Sequence, residues 1–173
     1  MLGLALPAMS ADFGWGAAAS GIALSGFFWS YAIGNVVVGP LVDRLEPRRA
    51  QTVGALFWCV CLVATSVAQS FAVLLGSRVL LGVAESPSQP IAVRSIRTFF
   101  REETIGSACV LGVALPVRCG PIVAFLAGGI LVEYLGWRGT FLVLALVSLV
   151  AIPCWLSLYP GTSATIGREP SRV

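Results

Sequence analysis

AAASGIALSGFFWSYAIGNVVVGPLVDRLEPRR, residues 17–49, changes character at residue 42. Residues 17–41 hold no charged side chain, whereas the next few hold Asp43, Arg44, Glu46, Arg48 and Arg49. About 20 apolar residues in helical form cross the hydrocarbon core of a bilayer. The uncharged run is long enough to do so, and the charged cluster that stops it belongs in water.

The same pattern repeats along the chain. Residues 50–69, 71–93, 105–132 and 138–158 are further apolar runs of spanning length, joined by short loops. Residues 1–11 form a shorter one. MLGLALPAMSA has no basic start and only a brief apolar core, so it reads as the tail of a truncated first helix rather than as a signal peptide. The expected fold is an all-α integral membrane bundle: a partial first helix (1–11), five spans (17–41, 50–69, 71–93, 105–132, 138–158) and a polar tail (159–173).

Composition agrees. The chain is 57% hydrophobic and 11% charged, against about 25% charged in an ordinary soluble domain. So few polar side chains cannot cover a surface facing water, and the lipid bilayer is the first partner implied. A net charge of +3 is too small to suggest nucleic acid.

The position of the charges gives an orientation. Arg44, Arg48 and Arg49 follow the second span, Arg94, Arg97 and Arg101 the fourth, and Arg168 and Arg172 the sixth. The opposite loops carry Asp12, Glu133 and a single Arg138. The positive-inside rule puts loops 42–49 and 94–103 and the tail in the cytoplasm, as for a multi-pass protein of a cell inner membrane.

Several kinds of chemistry are absent from the sequence. All basic residues are Arg, and there is no His. Imidazole metal ligands and His-based acid–base catalysis are therefore excluded. No G-x-S-x-G or phosphate-binding loop occurs, so neither an enzyme nor a metal or cofactor site is expected. The five Cys lie in apolar runs without a CxxC pair and read as small buried hydrophobes.

Charges at membrane depth are costly and usually face a partner or a wet cavity. Arg78 and Glu85 are two helical turns apart and share a face with Gly82 and Gln89. Glu85 is a candidate proton carrier. Arg78 either serves the same path or snorkels outward from the start of its span. Arg118, in LPVRCGP (115–121), is central in the fifth span. It is an anion-binding cation, an ion-pair partner of Glu85, or drift in a decayed gene. Tyr31 and Asn35, one turn apart, either orient a polar substrate or hydrogen-bond between helices.

Small residues recur every four positions in the fifth span, at Gly112, Pro116, Gly120, Ala124 and Gly128, which makes a groove for a neighbouring helix. Pro87, Pro90, Pro116 and Pro121 free backbone carbonyls within spans. Kinks of this kind suit either a bundle that rocks or a static one.

GPLVDRLEPRR (39–49) resembles the signature of the major facilitator superfamily, Gly-x-x-x-Asp-Arg followed by a basic pair, in Gly39, Asp43, Arg44, Arg48 and Arg49. Glu46 departs from it, since the family usually has Gly there. FFWSYAIGN (27–35), RVLLGVAESPSQP (78–90) and GWRGTF (136–141) resemble its anion:cation symporter branch, which includes hexonate- and phthalate-type permeases. The resemblance covers residues 1–158. It implies the N-terminal six-helix bundle of a twelve-helix carrier, with the substrate between two bundles at the midplane.

Tyr31, Arg78 and Glu85 then fall on the substrate and proton pathway, and Asp43 and Arg44 on a cytoplasmic latch between the halves. An acidic residue and an Arg of the branch's first helix fall before Met1, and the second bundle is missing. The resemblance implies proton-coupled symport of a small organic anion, such as a sugar acid or aromatic carboxylate. The partners are that anion, a proton and the C-terminal half of the carrier. The alternatives are a non-transporting membrane interaction module, a truncated remnant, or a half-transporter acting as a homodimer.

Overall fold

Inside a bilayer a peptide N–H or C=O finds no water, so each apolar run must satisfy its own backbone as helix. The computed structural model, which describes residues 2–42 and 45–159, is helical in every regular element. In order these are α1 (Leu2–Phe13), α2 (Ala17–Val42), α3 (Pro47–Ser66), α4 (Phe71–Glu85) and α5 (Ser88–Phe99). After them come α6 (Glu102–Cys109), a π-helical turn (Val110–Ala114) and α7 (Leu115–Leu158). Hydroxyls inside the helices are satisfied locally as well: Ser30 Oγ donates to Phe27 O at 2.9 Å and Ser95 Oγ to Ile91 O at 2.8 Å.

The spans differ from the sequence expectation where proline and glycine act. The third begins at Pro47 rather than residue 50, because proline fits the first helical turn, where its missing N–H has no partner to lose. The fourth, expected unbroken over 71–93, is two helices interrupted at Ser86 and Pro87. Pro87 and Pro90 have no N–H to donate to the preceding turn. The π-helical turn contains Gly112, whose carbonyl, four residues before Pro116, the proline ring crowds.

The fifth span runs through α6, the π-helical turn and the first part of α7, the sixth is the second part of α7, and in place of the expected loop between 132 and 138 the two parts meet at one residue. Gly136 has φ 65° and ψ 175°, a left-handed conformation that a side chain would strain. Three stretches of the described residues are long and apolar enough to cross a membrane: Ala17–Val38, Pro47–Ser66 and Glu102–Leu158. The last is 57 residues long. As one straight helix it would reach about 85 Å, nearly three times the ~30 Å core, so the break at Gly136 is what permits two passages.

Packing places α2 on α4, and α3 between α4 and α7. The α2–α4 contact depends on Gly82. A Cβ there would meet the Ser30 hydroxyl and lie 2.5 Å from Phe27 O and 2.9 Å from Tyr31 N. Gly82 therefore lets two helix backbones touch, the usual way membrane helices associate. The small-residue face of the fifth span is mostly open: Gly120 has nothing within 4 Å of a Cβ position, while Gly128 is buried. Trp29 is 70% exposed, Val36 76% and Leu126 70%. Large apolar side chains standing out in this number fit a lipid-facing surface.

Aromatic clusters mark both ends of the bundle. Phe13 stacks on Trp15 at 4.8 Å, and Trp15 meets Phe71 edge-on at 4.9 Å. At the arginine-rich end Tyr159 packs against Trp155 at 4.6 Å and Phe99 at 5.0 Å. Amphipathic rings at two levels are the pattern of membrane interfaces.

We predict that Gly82→Ala destabilises the bundle by about 1–3 kcal/mol, the range for overpacking a tight contact. Thermal unfolding in detergent checks this, and an unchanged melting temperature would show that α2 and α4 can part freely.

Candidate functional site

α4 turns Leu74, Ser77, Arg78, Leu81 and Gly82 into the bundle. Arg78 thus becomes a buried cation, 4% exposed, and does not snorkel. Its guanidinium donates to Thr65 Oγ1 of α3 and lies over the Phe141 ring, 5.0 Å from the centroid. Thr65 Oγ1 in turn donates to Cys61 O at 2.8 Å and sits 2.9 Å from Ser77 Oγ. A hydroxyl and a π face replace the water that the cation would otherwise hold. Arg78 Nε is buried and has no acceptor among the described residues.

Arg78 and Glu85 line one cavity of about 660 Å³. Its walls come from α1, α2, α3, α4 and both parts of α7, with Phe27, Phe28, Trp58, Phe125 and Phe141 among them. Glu85 is half-buried, and its carboxylate has no cation partner among the described residues. A mostly apolar cavity with one buried cation and one carboxylate suits a small molecule that carries an acidic group on an organic body.

The other residues singled out in the sequence lie elsewhere. Tyr31 is half-buried and stacks on the cavity-lining Phe27 at 6.0 Å without lining the cavity itself. The Asn35 amide donates to Tyr31 O at 2.8 Å, within its own helix. The helix break at Pro87 moves Gln89 away from Arg78 and Glu85, and it borders a separate depression with Arg94 and Arg97. Arg118 is exposed, outside the cavity lining, and makes no ion pair with Glu85.

In the loop after α2, Asp43 and Arg44 lie outside the described residues, and of Gly39 only its place in α2 is described. Arg48 donates to Leu156 O at 2.8 Å, tying the start of α3 to the end of α7. Arg49 pairs with Glu46 at 3.4 Å.

Sequence reasoning missed Thr65, Phe141 and Trp58 as site residues. The one available signal was a hydroxyl residue late in the third span, which does not name its partner. It also left Asp12 and Arg138 unpaired. In the structure Arg138 Nη1 lies 3.0 Å from Asp12 Oδ2, which accepts from Trp137 Nε1 at 2.7 Å as well. Arg138 Nη2 donates to Ala68 O at 3.1 Å. Arg138 thus joins α1, the turn that follows α3, and α7.

Comparison with known proteins gives a consistent assignment. The sequence model described as Major Facilitator Superfamily matches residues 1–172. A "Probable anion transporter 2, chloroplastic" of Oryza sativa subsp. japonica is 28% identical over 159 residues, covering 90% of this chain and 29% of the relative. A "Probable L-galactonate transporter" of Escherichia coli (strain K12) is 28% identical over 155 residues, covering 86% and 32%. A voltage-gated purine nucleotide uniporter of Mus musculus is 31% identical over 139 residues, covering 78% and 31%. The chain spans about a third of the length of these curated relatives.

Thr65→Val removes the acceptor of a buried cation while keeping its shape. The expected loss is about 1–3 kcal/mol of stability, the penalty for a buried group left unsatisfied. Denaturation of the purified protein measures it, and a variant as stable as the parent would mean that Arg78 is held by other contacts.

Proposed function

The chain belongs to the major facilitator superfamily, and from that premise we propose that it forms the N-terminal bundle of a secondary active carrier that moves a small organic anion together with a proton. Membership places the chain among membrane transporters rather than enzymes. The observation that carries the finer reading is that Arg78 and Glu85, on one helix, line one aromatic-walled cavity. The relatives' names, which include anion and L-galactonate transporters, support an acidic substrate such as a sugar acid.

In this proposal the substrate carboxylate meets the Arg78 guanidinium, whose planar fork suits two carboxylate oxygens. The apolar body rests on the aromatic walls. Glu85 accepts a proton before the bundle rocks and releases it afterwards. Protonation cancels the carboxylate's charge, so the loaded cavity can close without burying an extra unpaired ion. Rocking occurs against a second bundle supplied by the remainder of the carrier. Tyr31 is assigned to the pathway beside this cavity, and Asn35, Gln89 and Arg118, which lie outside its lining, to the route by which substrate and proton reach or leave it. Gly39, Asp43, Arg44, Arg48 and Arg49 are assigned to a latch on the cytoplasmic face of a plasma membrane.

The test is uptake of a hexonate by the full-length carrier in proteoliposomes under an imposed proton gradient. Glu85→Gln should lower gradient-driven uptake by about tenfold or more, equivalent to about 1.4 kcal/mol. Arg78→Gln should abolish uptake. Full gradient-driven uptake by Glu85→Gln would sink the proton role, and parental uptake without any gradient would indicate uniport.

A further inference from the structure

A second cavity, of about 250 Å³, lies between α3, the α4–α5 break and the end of α7. Its lining includes Gln51 and Trp155, so it lies toward the end of the bundle that carries Arg48 and Arg49. It shares two wall residues, Trp58 and Ser148, with the cavity of Arg78 and Glu85. Ala84 lines the second cavity and its neighbour Glu85 the first. The two spaces are thus back to back, with Glu85 at the partition.

The second cavity has apolar walls with four polar side chains set into them, enough partners to hold water. Gln51, Thr52, Ser88 and Ser148 line it, whereas cavities that stay dry are lined by hydrocarbon. Its volume has room for several waters. The hydroxyl protons are already committed: Thr52 Oγ1 donates to Arg48 O at 2.8 Å, Ser88 Oγ to Glu85 O at 2.6 Å and Ser148 Oγ to Leu144 O at 2.8 Å. Their lone pairs remain free to accept from water.

Trp58 separates the spaces without being fixed by a hydrogen bond. Its Nε1 is buried and has no acceptor among the described residues, and the same is true of Trp155 Nε1. A buried donor left in this way costs about 1–3 kcal/mol. Packing alone holds the indole between the two cavities.

We propose that Trp58 is a movable partition between the substrate cavity and a hydrated branch inside this bundle, and that the branch gives Glu85 an aqueous route to the arginine-rich end. The Glu85 carboxyl would release its proton to water in the branch, which passes it on to bulk water, leaving the carboxylate in the cavity it shares with Arg78. The proton route rests on the reading of Glu85 given above. The branch itself does not.

The experiment uses the full-length carrier with its native cysteines replaced by alanine, in right-side-out and inside-out vesicles. A small membrane-impermeant thiosulfonate reagent is applied to Ala55→Cys, on the wall of the second cavity, and to Val53→Cys, which is exposed on the outer face of the same helix. From the arginine-rich side, Ala55→Cys should react about tenfold faster than Val53→Cys. From the other side it should react slowly until Trp58→Ala is added, then about tenfold faster. Trp58→Leu serves where the alanine variant fails to accumulate. Equal rates for the two cysteines would show a dry cavity and overturn the branch. Reactivity from the other side that ignores the loss of Trp58 would overturn the partition. Because the labelling does not require transport, a failure of the Glu85 proton role appears separately, in uptake.

Discussion

A guanidinium at membrane depth must be held by something other than bulk water, and most of the functional architecture follows from how Arg78 is held. Its partners come from two other helices, Thr65 on α3 and Phe141 on α7. Satisfying one cation therefore draws α3, α4 and the second part of α7 together, and Cys61, Leu62, Leu74 and Phe141 form their core there. The energetics are asymmetric: the pair of contacts contributes little net stability, but an unmatched buried cation would be expensive. The same constraint leaves the cation beside a cavity that also holds Glu85.

Close approach of backbones is the second constraint. Apolar side chains gain little by leaving lipid for one another, so membrane helices associate through shape. Gly82 allows α4 to lie directly against the peptide groups of α2 near Phe27 and Tyr31. This contact sets the position of α4 and, with it, of Arg78 and Glu85. The proline break after Glu85 ends the helix immediately beyond the carboxylate. Gln89, on the same face by helical spacing, consequently borders different residues.

The residues differ in how legible they were. Arg78 and Glu85 stood out because ionisable groups are rare within apolar runs, and their spacing put them on one face. Both line the cavity. Arg118 stood out for the same reason yet is exposed, because rarity signals cost without giving direction. Asn35 looked free to meet a substrate but bonds its own helix, which periodicity does not distinguish. Thr65 and Trp58 gave no signal, since a hydroxyl or indole in a span is ordinary until its neighbours are known.

The sequence by itself determined the lipid surroundings and the helical class. Those follow from local quantities: hydrophobicity over about 20 residues, and where charge interrupts it. Proline and glycine positions also hinted at where helices would break, although the reduction of a whole expected loop to Gly136 was not readable. Only the tertiary structure decided that Arg78 turns inward onto Thr65 and Phe141, that Asp12 joins Arg138, and that two cavities meet at Trp58 and Ser148. Each of these joins residues far apart in the chain, where the direction of a side chain depends on the rotation and approach of another helix, which no local pattern encodes.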